Sequence, residues 1–289
     1  MNDPATLQGL TFALLGPGRV GWSLARWAAA AGARLAAVGL SPSGRGAVLA
    51  RELGAEAVPP GDLSSAGHDL LLVAVPDPAL AAAASDLARR PQAAVALHTS
   101  GSRTAEVLAP LRPAGTAVGS LHPLLAFPRP LPETAARGAV FAIDGDQPAI
   151  ALARRLAEAW QGVPVEVPPT ARPLYHLAAS LAAGGVVTLL ALAHDLAQRL
   201  DLPPEVSQGY RALTRSALEA ATATQDPAKA LTGPAARGDA ETLLRQLEAL
   251  ASTLPEAEPL VRLLARETLR QGSRITEPTP AQRRLLEDL

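Results

Sequence analysis

Six residues near the start, Gly16-Pro17-Gly18-Arg19-Val20-Gly21, constrain this chain more than any other segment. They follow a short apolar run, Leu10 to Leu15, and open a stretch, Arg19 to Ala31, that reads as a helix. Glycines at this spacing suit a turn where the backbone bends sharply, approaches a ligand and lets the helix pack on the strand. Gly16 permits the bend, Gly18 the approach and Gly21 the packing. The helix start then presents free N–H groups and a positive dipole end to an anion. An ordinary glycine-rich turn is the plainer alternative. The strand before and the helix after favour a dinucleotide, held by Gly16, Gly18, Arg19, Val20 and Gly21.

The second apolar run, Leu35 to Leu40, decides which dinucleotide. Sites for NAD place an acid near its end to hold the ribose 2′-hydroxyl. Here the run leads into Ser41-Pro42-Ser43-Gly44-Arg45, with no acid. Ser41, Ser43 and Arg45 offer two hydroxyls and a guanidinium to a 2′-phosphate. NADP is therefore expected in preference to NAD, although Arg45 also suits a solvated helix start.

The alternation continues. Asp69 to Val75 is an unbroken apolar strand stopped by Pro76, Pro78 to Arg90 a helix and Ala93 to Leu97 a strand. Strands that are apolar throughout belong to parallel sheets covered on both faces. The expected fold is α/β: an N-terminal Rossmann-type, doubly wound parallel sheet followed by an all-helical C-terminal domain. Ligands of such sheets lie beyond the carboxyl ends of strands, so Val75, Pro76, Asp77 and Thr99 are expected to line the cofactor cleft. Ala139 to Ile143 and Pro164 to Val167 read as strands around a helix at Pro148 to Trp160, and Pro123 to Pro132 as a loop. Pro168-Pro169-Thr170 marks the boundary, giving domains 1–168 and 169–289. Beyond it lie one long helix, Thr170 to Leu200 with Thr170 as a candidate N-cap, and helices at Pro204 to Thr224, Asp239 to Leu254 and Glu256 to Gln271. Asp239 and Thr242 fit a helix start.

Composition excludes several classes. The 289 residues suffice for two domains, and 26 basic against 27 acidic side chains leave no footprint for nucleic acid or a membrane surface. No cysteine is present, which removes disulfides, thiolate metal sites and a cysteine nucleophile and fits a cytoplasmic location. No spacing of ligands suggests a metal. Met1 to Gly9 lacks the pattern of a signal peptide. Leu177 to Ala193 is apolar, but it is short for a span and interrupted by Gly184-Gly185. A buried helix is expected there.

Proton exchange near neutral pH falls naturally to histidine. Of five, His68 and His194 read as incidental, while His98, His122 and His176 lie at strand ends or at the start of the long helix. His122 and His176 are expected near one cavity. Ser100 is a further catalytic candidate, although a serine beside a glycine also suits a turn. Thr232 and Arg237, in Leu231-Thr232-Gly233-Pro234-Ala235-Ala236-Arg237-Gly238-Asp239, combine a hydroxyl and a cation in a dense loop, a candidate substrate site.

GPGRVG, VPDPAL, HTSG, SLHPLLAF, YHLAAS and LTGPAARGD occur here in the order found in Rossmann-like proteins with a DUF2520 C-terminal domain. The chain resembles that family over nearly its whole length. The family is similar to pyrroline-5-carboxylate reductases, ketopantoate reductases and β-hydroxyacid dehydrogenases, with a 6-phosphogluconate dehydrogenase-like C-terminal domain. The resemblance implies an NADP-linked oxidoreductase that dimerises through its helical domain. It places His122 where prephenate dehydrogenases carry a functional histidine, and His176 near the catalytic lysine of β-hydroxyacid dehydrogenases. Relatives usually carry an asparagine a few residues along that helix, where this chain has Gly184-Gly185. The expected activity is hydride transfer to or from a small C=O or C=N compound, a keto acid or cyclic imine. His176 would be the proton donor, His122 or Ser100 would orient the substrate, and Thr232 and Arg237 would bind a carboxylate. The alternative is a non-catalytic NADP-binding sensor or partner-binding dimer on the same fold.

Overall fold

A computed structural model describes residues 6–41, 43–275 and 277–289, except for the side chains at 286 and 288. By contacts the chain separates into two compact units, Met1–Ala183 and Gly184–Leu289. The sequence boundary at 168/169 falls just after the last strand, and the contact boundary comes later, within the helical run.

The first unit is built on an eight-stranded sheet. Its elements run β1 (Thr11–Leu15), α1 (Arg19–Ala30), β2 (Arg34–Gly39), α2 (Arg45–Leu53), β3 (Glu56–Val58), β4 (Leu70–Val73), α3 (Asp77–Leu87), β5 (Val95–His98), β6 (Ala117–Pro123), β7 (Val140–Gly145), α4 (Gln147–Ala159), β8 (Val163–Glu166) and α5 (Arg172–Ser180). The strand order is β3-β2-β1-β4-β5-β6-β7-β8. The order reverses between β1 and β4, and the turns after these two strands open the crevice where such sheets bind ligands.

Alternation along each strand feeds two cores. Phe12 and Leu14 of β1 face one side, with Trp27 of α1, Phe141 of β7 and Trp160 after α4. Ala13 and Leu15 face the other, with Leu80 of α3 and Leu108. Trp27 and Trp160 meet edge to face at 5.7 Å, and the Trp27 indole N–H donates to the Leu131 carbonyl at 3.1 Å. That bond and those from Arg19 Nη1 to the carbonyls of Phe127 and Pro128 (3.2 and 3.3 Å) tie the proline-rich loop over α1.

Two features depart from the sequence reading. The short β3, with Glu56 and Ala57 exposed, carries no apolar run to announce it. The β6–β7 pair is antiparallel, not parallel. Parallel neighbours need a crossover, usually a helix, and the segment between β6 and β7, with prolines at 128, 130 and 132, provides only a 3₁₀ turn at Glu133–Ala136.

The expected single helix from Thr170 to Leu200 is instead a composite. Pro169–Ala171 form a 3₁₀ turn, so Thr170 is not the cap of α5, whose N-cap position is Ala171. After α5 comes a π-turn, Leu181–Gly185, which holds both glycines, and then α6 (Val186–Arg199). Nor is this run buried: Leu174, Leu181 and Val187 are 73%, 64% and 67% exposed. Among the described residues, the run Pro169–Arg199 is the one long and apolar enough, by length and composition, to cross a membrane.

The second unit is helical, with α6 followed by α7 (Pro204–Thr222), α8 (Gly233–Arg237), α9 (Ala240–Thr253), α10 (Glu258–Gly272) and α11 (Pro280–Asp288). Leu243 and Leu247 of α9 pack against Ala265 and Leu269 of α10 and Leu285 of α11. Asp239 caps α9, accepting the Thr242 N–H at 3.1 Å, as the sequence indicated.

Candidate functional site

A cavity of about 700 Å³ runs along the carboxyl ends of β1, β4, β5 and β6. One end is made of backbone. Gly16 has φ +92°, and a Cβ there would lie 2.6 Å from the Ala74 carbonyl group. At Gly21 a Cβ would strike the Gly16 carbonyl oxygen and crowd the Ala74 and Leu14 side chains. Gly18 differs: its Cβ would meet nothing within 4 Å. Gly18 is also the N-cap of α1, with no side chain capping that helix and no acid in its first turn. The first-turn N–H groups are thus left for a ligand, and the space beside Gly18 suits a pyrophosphate. Ser41 and Ser43, their hydroxyls 3.0 Å apart, lie on the rim. Arg45 opens α2 with an exposed side chain outside the lining. Pro42 lies outside the described residues.

The middle of the cavity is walled by Val75, Pro76, Asp77 and Thr99. Asp77 accepts the Ser102 hydroxyl at 2.6 Å. Ser100 also lines the cavity, but its Oγ accepts the N–H groups of Ser102 (3.3 Å) and Arg103 (3.1 Å), which builds the turn after β5. His98 is fully buried, and both its nitrogens are used. The Ser100 N–H donates to Nδ1 at 3.2 Å, so Nε2–H donates to the Thr104 carbonyl at 3.0 Å. Burial pushes its pKa down to about 4. His98 is a neutral strut.

The other end is made of side chains. His122 from β6 and His176 from α5 both line the cavity, with ring centroids 5.9 Å apart. They close over Gly101, where a Cβ would come within 2.5 Å of His176 Cδ2 and 2.7 Å of His122 Nε2. His122 Nδ1 bonds to the Tyr175 hydroxyl at 2.8 Å. Tyr175 rests near Arg172, whose guanidinium carbon is 5.9 Å from the ring centroid. Arg172 is completely buried; it pairs with Asp144 at 2.9 Å and also donates to Ser120, which in turn donates to Asp144. The second Asp144 oxygen accepts the Ala105 N–H at 3.2 Å. Burial, then the neighbouring His176 and Arg172, push the His122 pKa down to about 4. Burial also raises the Tyr175 phenol above its ordinary value. At neutral pH His122 is therefore an uncharged ring held by a protonated phenol. The Tyr175 hydroxyl occupies Nδ1, which leaves Nε2 as the ring nitrogen available to a ligand.

Sequence reasoning named both histidines but not Tyr175, Arg172, Asp144, Ser120 or Gly101. The signal for Tyr175 was its place beside His176; the Arg172–Asp144 pair joins residues far apart in the chain and left none. Thr232 and Arg237 are exposed on the second unit, at the N-cap position and in the last turn of α8.

Residues 3–123 match the Rossmann-like domain model, and residues 139–268 match the domain of unknown function DUF2520. The chain carries both domains. No curated protein matches its sequence. Among solved structures, it is similar to BF3122 from Bacteroides fragilis, described as a candidate NADP oxidoreductase. That match has a TM-score of 0.74, 23% identity and coverage of 90% of this chain and 97% of the other. Protein TM1727 from Thermotoga maritima gives a TM-score of 0.70, 22% identity and coverage of 91% and 98%. A pyrroline carboxylate reductase from Plasmodium falciparum, solved with NADP bound, gives 0.58, 12% identity and 92% and 99%. At these identities the likeness is one of fold.

Proposed function

We propose that this chain is an NADP(H)-dependent oxidoreductase that moves a hydride to or from a small C=O or C=N compound, with keto acids and cyclic imines as the classes to test. The observation that carries the reading is one continuous cavity with a pyrophosphate cradle at Gly16–Gly21 and a histidine pair at its far end. The NADP-bound relative supports the choice of cofactor. When bound, the nicotinamide supplies a hydride to the substrate carbon and is left oxidised; that chemistry is the cofactor's. The protein positions and moves a proton. Gly16, Gly18 and the first turn of α1 hold the pyrophosphate, with Arg19 and Val20 beside it. Ser41 and Ser43, with Arg45, take the 2′-phosphate. The His122 Nε2–H orients the substrate oxygen or nitrogen, and that atom takes a proton from His176 as the electron pair moves onto it. Ser100 acts through the turn it builds.

The reading includes a homodimer joined through the helical unit, because α6 and α7 expose Val187, Leu213 and Leu218. Sedimentation of the purified chain tests this. A cytoplasmic location goes with the reading.

The first experiment is thermal unfolding with NADPH, NADP, NADH and NAD in separate samples. Ligands of the native state raise the midpoint by mass action. A rise confined to the two phosphorylated cofactors is expected. A rise with NADH and NAD alone would overturn the Ser41–Ser43–Arg45 assignment, and no rise with any of the four would overturn the cofactor site.

A further inference from the structure

Two side-chain contacts join α5 to β6. Ser120 and His122 lie two residues apart on β6 and so share a face of that strand. Arg172 and Tyr175 lie three apart on α5 and so share a side of that helix. Arg172 donates to Ser120, and the Tyr175 hydroxyl bonds to His122 Nδ1 at 2.8 Å. The first contact is completely buried and braced by Asp144, so it fixes α5 against β6. The second carries that register to the histidine in the cavity wall.

An uncharged imidazole carries one ring hydrogen, and the bond made by one nitrogen decides what the other presents. Burial, with His176 and Arg172 nearby, keeps His122 uncharged at neutral pH. The bond to Tyr175 therefore has two forms. In one the phenol donates, and the ring hydrogen sits on Nε2. In the other Nδ1–H donates, and the phenol hydrogen needs an acceptor elsewhere. Chemistry favours the first. A phenol gives up its proton near pH 10, an imidazole N–H only at far higher pH, and an imidazole nitrogen accepts better than a phenol oxygen. Packing favours it too: among the described residues, His122 is the one hydrogen-bond partner of the Tyr175 hydroxyl. The Arg172 guanidinium carbon, 5.9 Å from the Tyr175 ring centroid, adds a positive charge that strengthens the phenol as a donor.

Resting on the reductase reading, we infer that Tyr175 is a positioning residue: its hydroxyl donates to His122 Nδ1 and so sets the tautomer in which Nε2 carries the hydrogen toward the substrate. The ring then meets the substrate as a hydrogen-bond donor. It suits an atom with a free lone pair, a carbonyl oxygen or an unprotonated imine nitrogen, and it meets a protonated iminium nitrogen donor to donor. As hydride reaches the neighbouring carbon, negative charge gathers on the accepting atom and the bond from Nε2–H strengthens. Arg172, Ser120 and Asp144 hold the frame in which Tyr175 does this.

The test reads the tautomer directly and needs no substrate. The full chain is labelled with nitrogen-15 in its histidine rings, and proton–nitrogen correlations at pH 7 distinguish protonated from unprotonated ring nitrogens. His122→Gln identifies which of the five histidines gives the His122 signals. In the unaltered protein an unprotonated Nδ1 and a protonated Nε2 are expected. A hydrogen on Nδ1, alone or together with one on Nε2, overturns the inference. Tyr175→Phe keeps the aromatic ring and removes the hydroxyl. It is expected to let the second tautomer appear, read as a move of the His122 Nε2 signal toward its unprotonated position. An Nε2 signal that stays in place means that Tyr175 does not set the tautomer, and the inference fails. Should Tyr175→Phe not fold, the spectrum of the unaltered protein still decides. The thermal-unfolding experiment with NADPH judges the reductase reading separately: without an NADPH shift that reading falls, while the spectra still report the bond between Tyr175 and His122.

Discussion

The two ends of the long cavity are built by opposite means. At the Gly16–Gly21 end the working parts are backbone atoms, and side chains are removed to expose them. At the His122–His176 end the working parts are side chains, held by other side chains from β6, β7 and α5. A backbone site needs only a local turn. A side-chain site needs several strands and a helix to arrive in register, and here it needs a buried charge to be neutralised. The glycine end therefore depends on one short segment, whereas the histidine end depends on most of the first unit.

The largest expected effect tests that dependence. Asp144→Asn leaves the Arg172 guanidinium buried without its counter-charge. Loss of one partner of such a pair costs about 3–5 kcal/mol, read as a lower urea midpoint. An unchanged midpoint would mean that the histidine end is not held by this pair. Next, His176→Ala is expected to lower turnover about 100-fold or more with little change in NADPH affinity, and equal turnover would remove His176 from the mechanism. Gly18→Val should do the reverse at the other end. Its side chain enters open space, so folding is spared while NADPH affinity falls at least about tenfold. Should thermal stability fall and affinity hold, Gly18 would be a structural glycine.

The smallest effect is pH-dependent and belongs to the side-chain end alone. His98 and His122 both titrate near 4 in the folded protein, because burial disfavours the charged ring. In the unfolded chain an imidazole titrates near 6.5. Between these values the unfolded state binds more protons, so the stabilisation is complete above about pH 6.5 and is lost as the pH falls toward 4. By pH 5.5 the loss is about 1 kcal/mol for each ring. Unfolding midpoints measured from pH 7 to pH 5 should fall, and His122→Gln should flatten part of the slope. A midpoint independent of pH over that range would place both rings in solvent-like surroundings.

How much of this was legible in the sequence follows the same division. The apolar runs that became β1, β2, β4 and β5, and the glycine spacing after β1, are short-range patterns, and period and turn chemistry reveal such patterns directly. The antiparallel β6–β7 pair depends on what the intervening loop lacks, namely a crossover helix, and the edge strand β3 is too short to carry a pattern. The long apolar helix showed its hydrophobicity in the sequence but not its exposure, since burial is a property of what packs beside it. His122 and His176 could be named from their residue type and their place at element ends. That Tyr175 fixes one nitrogen of His122, and that Gly101 makes room for both rings, required coordinates.

The sequence by itself determined the sheet's central strands and the pyrophosphate-type turn, because a glycine's freedom and a strand's apolar face act over a few residues. Only the tertiary structure decided the charge state of His122, the burial of Arg172 against Asp144 and the meeting of His122 with His176 over Gly101. Those properties arise from desolvation and pairing among residues distant in the chain, and no local pattern encodes which groups the fold will remove from water together.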